Sequence, residues 1–159
     1  GTMNNFLFGN DRFGYYETIG GGAGAGPGFP GASGVHVHMT NTAITDPEIL
    51  EQRYPVQCRE FSLRRGSGGL GRWDGGEGLC REIRFLEPVS VSLLALSRRQ
   101  PPRGACGGGD AASGRQWRIR IDGTRVEIPG MAQLQLEAGE SIRIETPGGG
   151  AWGAQNSTL

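Results

Sequence analysis

The chain has 159 residues, in which 16 arginines balance 16 acidic residues, with two histidines and no lysine. That length buries a core without disulfide or metal staples, and the charge balance marks neither a nucleic-acid nor a membrane surface. The missing lysine excludes a P-loop lysine, a Schiff base and a lysine general base, and no apolar run approaches the roughly 18 residues of a spanning helix. Thirty glycines lack the strict period of collagen and gather between apolar runs, the pattern of tight turns and close backbone approaches. Cys58, Cys80 and Cys106 form no CxxC pair, which reads as a reduced, cytoplasmic protein with buried or spectator thiols.

The opening Gly1-Thr2-Met3-Asn4-Asn5 runs at once into patterned sequence, as in a segment of a longer chain. Residues 4–19 alternate loosely and predict one or two short strands with a turn at Gly9-Asn10-Asp11. Gly20 to Gly34 carries eight glycines and two prolines, a composition that neither a helix nor a central strand tolerates, so it reads as a long loop, functional or mobile. Thr45-Asp46-Pro47-Glu48 has the cap, the first-turn proline and the acidic residue of a helix start. The helix should end near Arg53, because Pro55 disfavours a helical Tyr54.

From Val56 the period becomes two. Val56–Arg65, Cys80–Leu86 and Val89–Leu96 read as strands, the last two separated at Glu87-Pro88. Trp117–Ile121 and Thr124–Ile128 flank Asp122-Gly123, a hairpin signal. Ala132–Leu136 and Ser141–Glu145 are read as a final pair around Gly139-Glu140. Glycine-rich loops fill 66–78, 104–114 and 147–153. The prediction is a mainly β protein, an antiparallel β-sandwich or barrel with long glycine-rich loops and one short helix. It is read as one domain over 1–159, with a glycine-rich motif region at 1–55 and a β-rich region at 56–153.

The densest chemistry lies between Gly34 and Glu48. His36 and His38 stand at i and i+2, so an extended backbone puts both imidazoles on one face. Such a pair serves as acid and base or as two metal ligands, although two nitrogens do not complete a metal site. The competing role is hydrogen bonding to loop backbone. Thr40, Asn41, Thr42 and Asp46 supply hydroxyl, amide and carboxylate groups beside them, and Glu17 is a second carboxylate candidate. The run Gly20–Gly26 has a GxGxxG-like spacing without the helix or βαβ context of a dinucleotide site, so tight turns compete with an anion nest there. Arg64-Arg65 and Arg98-Arg99 sit at strand ends, as carboxylate clamps or as solvated termini.

Three blocks carry a more specific signal. Gly14-Tyr-Tyr-Glu-Thr-Ile-Gly-Gly-Gly-Ala-Gly-Ala-Gly26, His36-Val-His-Met-Thr-Asn-Thr42 and Thr45-Asp-Pro-Glu-Ile-Leu-Glu-Gln-Arg-Tyr-Pro-Val56 resemble the hydantoinase B / 5-oxoprolinase family. Leu63–Arg72, Gly75–Gly78 and Thr146–Gly150 resemble later blocks of that family, in the same order. The resemblance implies a C-terminal segment of a larger ATP-dependent hydrolase that opens cyclic amides, either 5-oxoproline or N-methylhydantoins. It implies that ATP binds a hydantoinase A-type partner domain or subunit and not this chain. The resemblance leaves a divalent metal open for this system, since relatives that carboxylate ketones use a metal held by upstream residues. The substrate or its phosphorylated intermediate would meet His36, His38 and Glu17 as catalytic groups and Thr40, Asn41, Thr42 and Asp46 as binding groups, with the isolated segment inactive. The other implied role is a non-catalytic β-rich module that docks the ATP-binding partner. Self-association into a homo-oligomer is expected of a segment separated from its neighbours. Ala43 departs from the family pattern, which shows arginine there.

Overall fold

The structure, a computed structural model, describes residues 3–37 and 42–155. Nine strands are described: β1 (Asn4–Gly9), β2 (Gly14–Thr18), β3 (Val56–Arg64), β4 (Gly78–Phe85), β5 (Val89–Ala95), β6 (Arg115–Ile119), β7 (Arg125–Glu127), β8 (Met131–Leu136) and β9 (Ser141–Glu145). They form two antiparallel sheets, ordered β2-β1-β5-β8 and β3-β4-β9-β6-β7. Together these make a sandwich-like, mainly β fold with no closed barrel among the described residues.

Alternation dictates this arrangement. Along β5, Val89, Val91, Leu93 and Ala95 are buried while the residues between them are not. The inward positions Phe6, Phe8, Val91 and Leu93 of one sheet pack with Ile83, Phe85, Ile142 and Ile144 of the other. Phe8 meets Phe85 edge-on across the gap, ring centroids 5.2 Å apart. Each such side chain removed from water contributes about 1.5–3 kcal/mol.

The strands at 132–136 and 141–145 do not pair with each other. β8 lies beside β5 in the four-stranded sheet, while β9 sits between β4 and β6 in the five-stranded one. The turn between them therefore crosses from sheet to sheet, a step that strand period cannot encode. Helix α1 (Pro47–Arg53) begins as its sequence requires, with Asp46 Oδ1 accepting from the Glu48 amide at 2.9 Å. Leu50 is its buried residue, and Tyr54 is already extended ahead of Pro55.

The glycine-rich segments form a second packed region built almost without side chains. Segments 20–34, 66–78, 104–114 and 147–153 hydrogen-bond to one another through backbone groups. Gly22 donates to the Pro147 carbonyl (3.0 Å), Gly31 to Asp74 (2.8 Å), Gly76 to Ala23 (2.9 Å), Gly149 to Gly76 (2.8 Å) and Ala151 to Gly109 (3.0 Å). A Cβ built at Gly75 would collide with the Gly149 carbonyl, and one at Gly149 with the Ala23 carbonyl. Glycine is needed here because two backbones pass at contact distance. These segments are thus neither simple turns nor an open nest, since their N–H groups are spent on neighbouring carbonyls.

Candidate functional site

Strand β2 carries Tyr15 and Glu17 inward, because both share the face of Phe6 and Phe8 in the register with β1. Strand β4 carries Arg81 inward from the opposite sheet, between Leu79 and Ile83. The Glu17 carboxylate accepts from Arg81 Nε at 2.7 Å and Nη2 at 3.1 Å, and from the Tyr15 hydroxyl at 2.8 Å. Both charged side chains are almost wholly shielded from water. Burial of a pair at this depth is tolerated because the fork geometry is bidentate and the remaining acceptor capacity meets a hydroxyl.

The guanidinium also lies 4.8 Å from the Phe61 ring centroid, and its Nη1 is 3.8 Å from the Cys58 sulfur. Burial pushes the Cys58 thiol up, Arg81 opposing, so this sulfur is held as a neutral thiol. The Tyr15 phenol is pushed up to about 12, chiefly by burial, with Glu17 adding and the hydroxyl of Thr45 opposing through a hydrogen bond. Tyr15 therefore acts as a proton-bearing donor at neutral pH.

The polar motif is tied to this cluster at both described ends. Val35, which precedes His36, exchanges backbone hydrogen bonds with Gly21, three residues beyond the end of β2. At the far end Thr45 lies close enough to the Tyr15 hydroxyl to oppose the rise of its pKa. Both anchors thus lie on β2 and its continuation, on either side of Glu17. Burial lowers the His36 pKa, which favours the neutral imidazole, and its Nδ1 meets no acceptor or donor among the described residues. The neutral ring is the form in which an imidazole takes up a proton as a general base.

Of the residues read from sequence, His36, Glu17, Thr42 and Asp46 are described, and His38, Thr40 and Asn41 lie outside the described residues. Glu17 is buried between the sheets with both oxygens engaged, and Asp46 caps α1 with one of its own. Thr42 and Ala43 are exposed. Arg81, Tyr15 and Cys58 were not singled out in the sequence, although an arginine in an inward register of an alternating strand calls for a buried counter-charge. Arg64 reaches Glu145 at 3.2 Å, and Arg65 reaches Glu77 at 3.1 Å. Arg98 instead donates to neutral acceptors, the Asn4 side chain and the Leu96 carbonyl among them. Among the described residues no three His, Cys, Asp or Glu side chains converge as a metal site. No described helix is long and apolar enough to cross a membrane.

A family model described as hydantoinase B/oxoprolinase matches residues 1–155. The chain is 54% identical over 154 residues to 5-oxoprolinase 1 of Arabidopsis thaliana, covering 97% of this chain and 12% of that protein. It is 49% identical over 159 residues to 5-oxoprolinase of Dictyostelium discoideum, covering 100% of this chain and 13% of that protein. Its fold superposes on the crystal structure of ATP-dependent caprolactamase from Pseudomonas jessenii with a TM-score of 0.79 and 25% identity, covering 94% of this chain and 28% of that one. The chain thus spans about one-eighth of the length of these curated relatives.

Proposed function

Because this chain belongs to the hydantoinase B/oxoprolinase family, we propose that it supplies part of the substrate site of an ATP-dependent hydrolase of cyclic amides such as 5-oxoproline or an N-methylhydantoin. The observation that carries this reading is that Val35 and Thr45, which flank the histidine motif, lie against β2 and its continuation on either side of the buried Glu17–Arg81 pair. Orientation of reacting groups about a carbonyl lowers the barrier to its attack, which is what placing the ends of the motif against one strand serves.

In this reading the roles divide by environment. His36 and His38 move the proton as water adds to the ring carbonyl and the ring nitrogen leaves. Thr40, Asn41, Thr42 and Asp46 bind the amide and carboxylate oxygens of the substrate. Glu17 works from the interior, its charge fixed by Arg81 and its second oxygen holding the Tyr15 hydroxyl. ATP supplies an activated ring oxygen when bound, and it is assigned to a hydantoinase A-type partner domain or subunit. The likeness to an ATP-dependent caprolactamase and to two 5-oxoprolinases supports this class of substrate.

The test is ATP-dependent ring opening of 5-oxoproline and of N-methylhydantoin by the complete system carrying this segment. The His36→Ala/His38→Ala variant should lose about 10²–10⁴-fold in turnover with folding and assembly intact, the range of general acid–base catalysis. Unchanged turnover would assign the chemistry to other parts of the system.

A further inference from the structure

The two outer faces of the sandwich differ in charge. On the five-stranded sheet the outward side chains are laced by ion pairs: Arg143 with Glu60, Glu82 and Glu145, and Arg115 with Glu127. Arg115 and Glu127 are open to water, while Arg143 lies lower among its three carboxylates, so this face satisfies its charges within itself. The register of the four-stranded sheet sets Asn5, Leu7 and Gly9 of β1 in line with Gly14, Tyr16 and Thr18 of β2. On the other side they line up with Ser90, Ser92 and Leu94 of β5, and these with Met131, Gln133 and Gln135 of β8. None of these outward positions is charged, in a chain whose composition is 20% charged.

The apolar members are open to solvent: Leu7 is 41% exposed, Tyr16 54%, Leu94 37% and Met131 73%. A shallow trough of about 670 Å³ runs over Gly9 and Gly14, bordered by Leu7, Tyr16 and Ser92. Charged residues begin at its rim, with Asp11 in the trough wall and Arg12 paired to Glu87 beyond it. An apolar centre depleted of charge inside a polar rim is the anatomy of a protein–protein interface.

We infer that this face of the β2-β1-β5-β8 sheet is covered by the remainder of a hydantoinase B-type polypeptide, through a neutral surface of apolar and amide groups, and not by the ATP-binding partner. The inference rests on the reading of this chain as a segment of such a polypeptide. The occupant follows from chain lengths. The same segment makes up 12–13% of the 5-oxoprolinases and 28% of the caprolactamase chain. It is therefore built into polypeptides about eight and about four times its length. In the shorter of these polypeptides the chain beyond this segment is already about two and a half times its length, enough to cover one sheet face without the additional half of the longer ones. A neutral face also suits a permanent intramolecular contact, where charged pairs would be desolvated at a cost.

Met131 reports directly on the cover, because oxidation by hydrogen peroxide follows exposure of the thioether. Its oxidation rate is read by mass spectrometry in the 159-residue chain, in the longer polypeptide alone, and in that polypeptide with the ATP-binding partner. Oxidation about tenfold slower in the longer polypeptide alone is expected, as for a thioether taken from water into an interface. Addition of the partner should change it no further, and Leu7→Arg with Leu94→Arg should restore fast oxidation. Equal rates in the short and long chains would overturn the inference, as would protection that appears only with the partner. Slow oxidation in the short chain that dilution relieves would assign the face to a second copy and overturn it as well. Turnover measured on the same samples keeps the two readings apart. A protected Met131 in an enzyme that opens neither ring sinks the substrate assignment alone, and a freely oxidised Met131 in an active enzyme sinks the docking face alone.

Discussion

Arg81 of one sheet and Glu17 of the other meet between the two layers, Nε to Oε1 at 2.7 Å and Nη2 to Oε2 at 3.1 Å. The pair is a cross-link between sheets, and among the described residues neither member has another ion-pair partner. Removing one member leaves its partner charged and buried, which costs about 3–5 kcal/mol, whereas replacing both with apolar groups of similar volume is close to neutral. Arg81→Met should therefore destabilise the chain by that amount in urea unfolding, and Glu17→Leu/Arg81→Met should recover most of the loss. Additive losses in the double variant would show that the two side chains do not act as a pair.

The glycine segments make an opposite kind of prediction, about space. Gly75→Ala drives a methyl group into the Gly149 carbonyl, a backbone atom with no rotamer to escape into. Overpacking of this kind costs about 1–3 kcal/mol or more, and loss of cooperative unfolding is the expected extreme. Gly14→Ala meets nothing within 4 Å and has no positive φ. There the smaller entropy of the unfolded chain should leave stability unchanged or raise it by about 0.4–1 kcal/mol. Equal thermal shifts in the two variants would contradict the close packing of the segments.

Much of the fold is legible residue by residue. The period of two marks β3, β4 and β5 within one or two residues. Asp46, Pro47 and Pro55 bound α1 as capping and proline sterics require. What the sequence conceals is non-local. Whether β8 joins β9 or β5 depends on which sheet offers an open edge, and no residue in Ala132–Leu136 records that. The glycine segments read as loops because no side-chain period distinguishes a free loop from one whose carbonyls and amides are paired across the chain. The histidine motif is visible as a polar island, but its anchors at Gly21 and Tyr15 are backbone and burial effects. Arg81 was within reach, since Leu79, Ile83 and Phe85 fix the inward register and make its charge an anomaly.

The acid limb of stability should carry the mark of Arg143. Its hydrogen bond holds the Glu60 carboxyl below the ordinary carboxylate range, against a smaller opposing effect of burial. A folded-state pKa below the unfolded one contributes stability above the unfolded value and loses it as pH falls through the folded value. The wild-type advantage over Arg143→Gln in melting temperature should therefore be full near pH 6. It should shrink as the pH drops below about 4.3, the unperturbed glutamate value. A gap that stays constant down to pH 3 would place the stabilising effect in packing of the arginine stem.

Tyr15→Phe isolates the link between the buried pair and the motif. The ring contacts with Phe8 and Tyr54, at 5.0 and 5.1 Å, are kept by phenylalanine, so the core loses little. The hydroxyl that donates to Glu17 and lies beside Thr45 is lost. Glu17 retains its two hydrogen bonds from Arg81, and the loss in stability should be about 1–2 kcal/mol, that of a buried hydrogen bond. The larger effect should be local. Amide exchange at Thr45 and Asp46 should speed up by more than the global destabilisation allows, because the Tyr15 hydroxyl beside Thr45 is gone. Exchange that rises uniformly across the chain would mean that Tyr15 stabilises the sandwich alone and leaves the His36–Thr45 segment to other contacts.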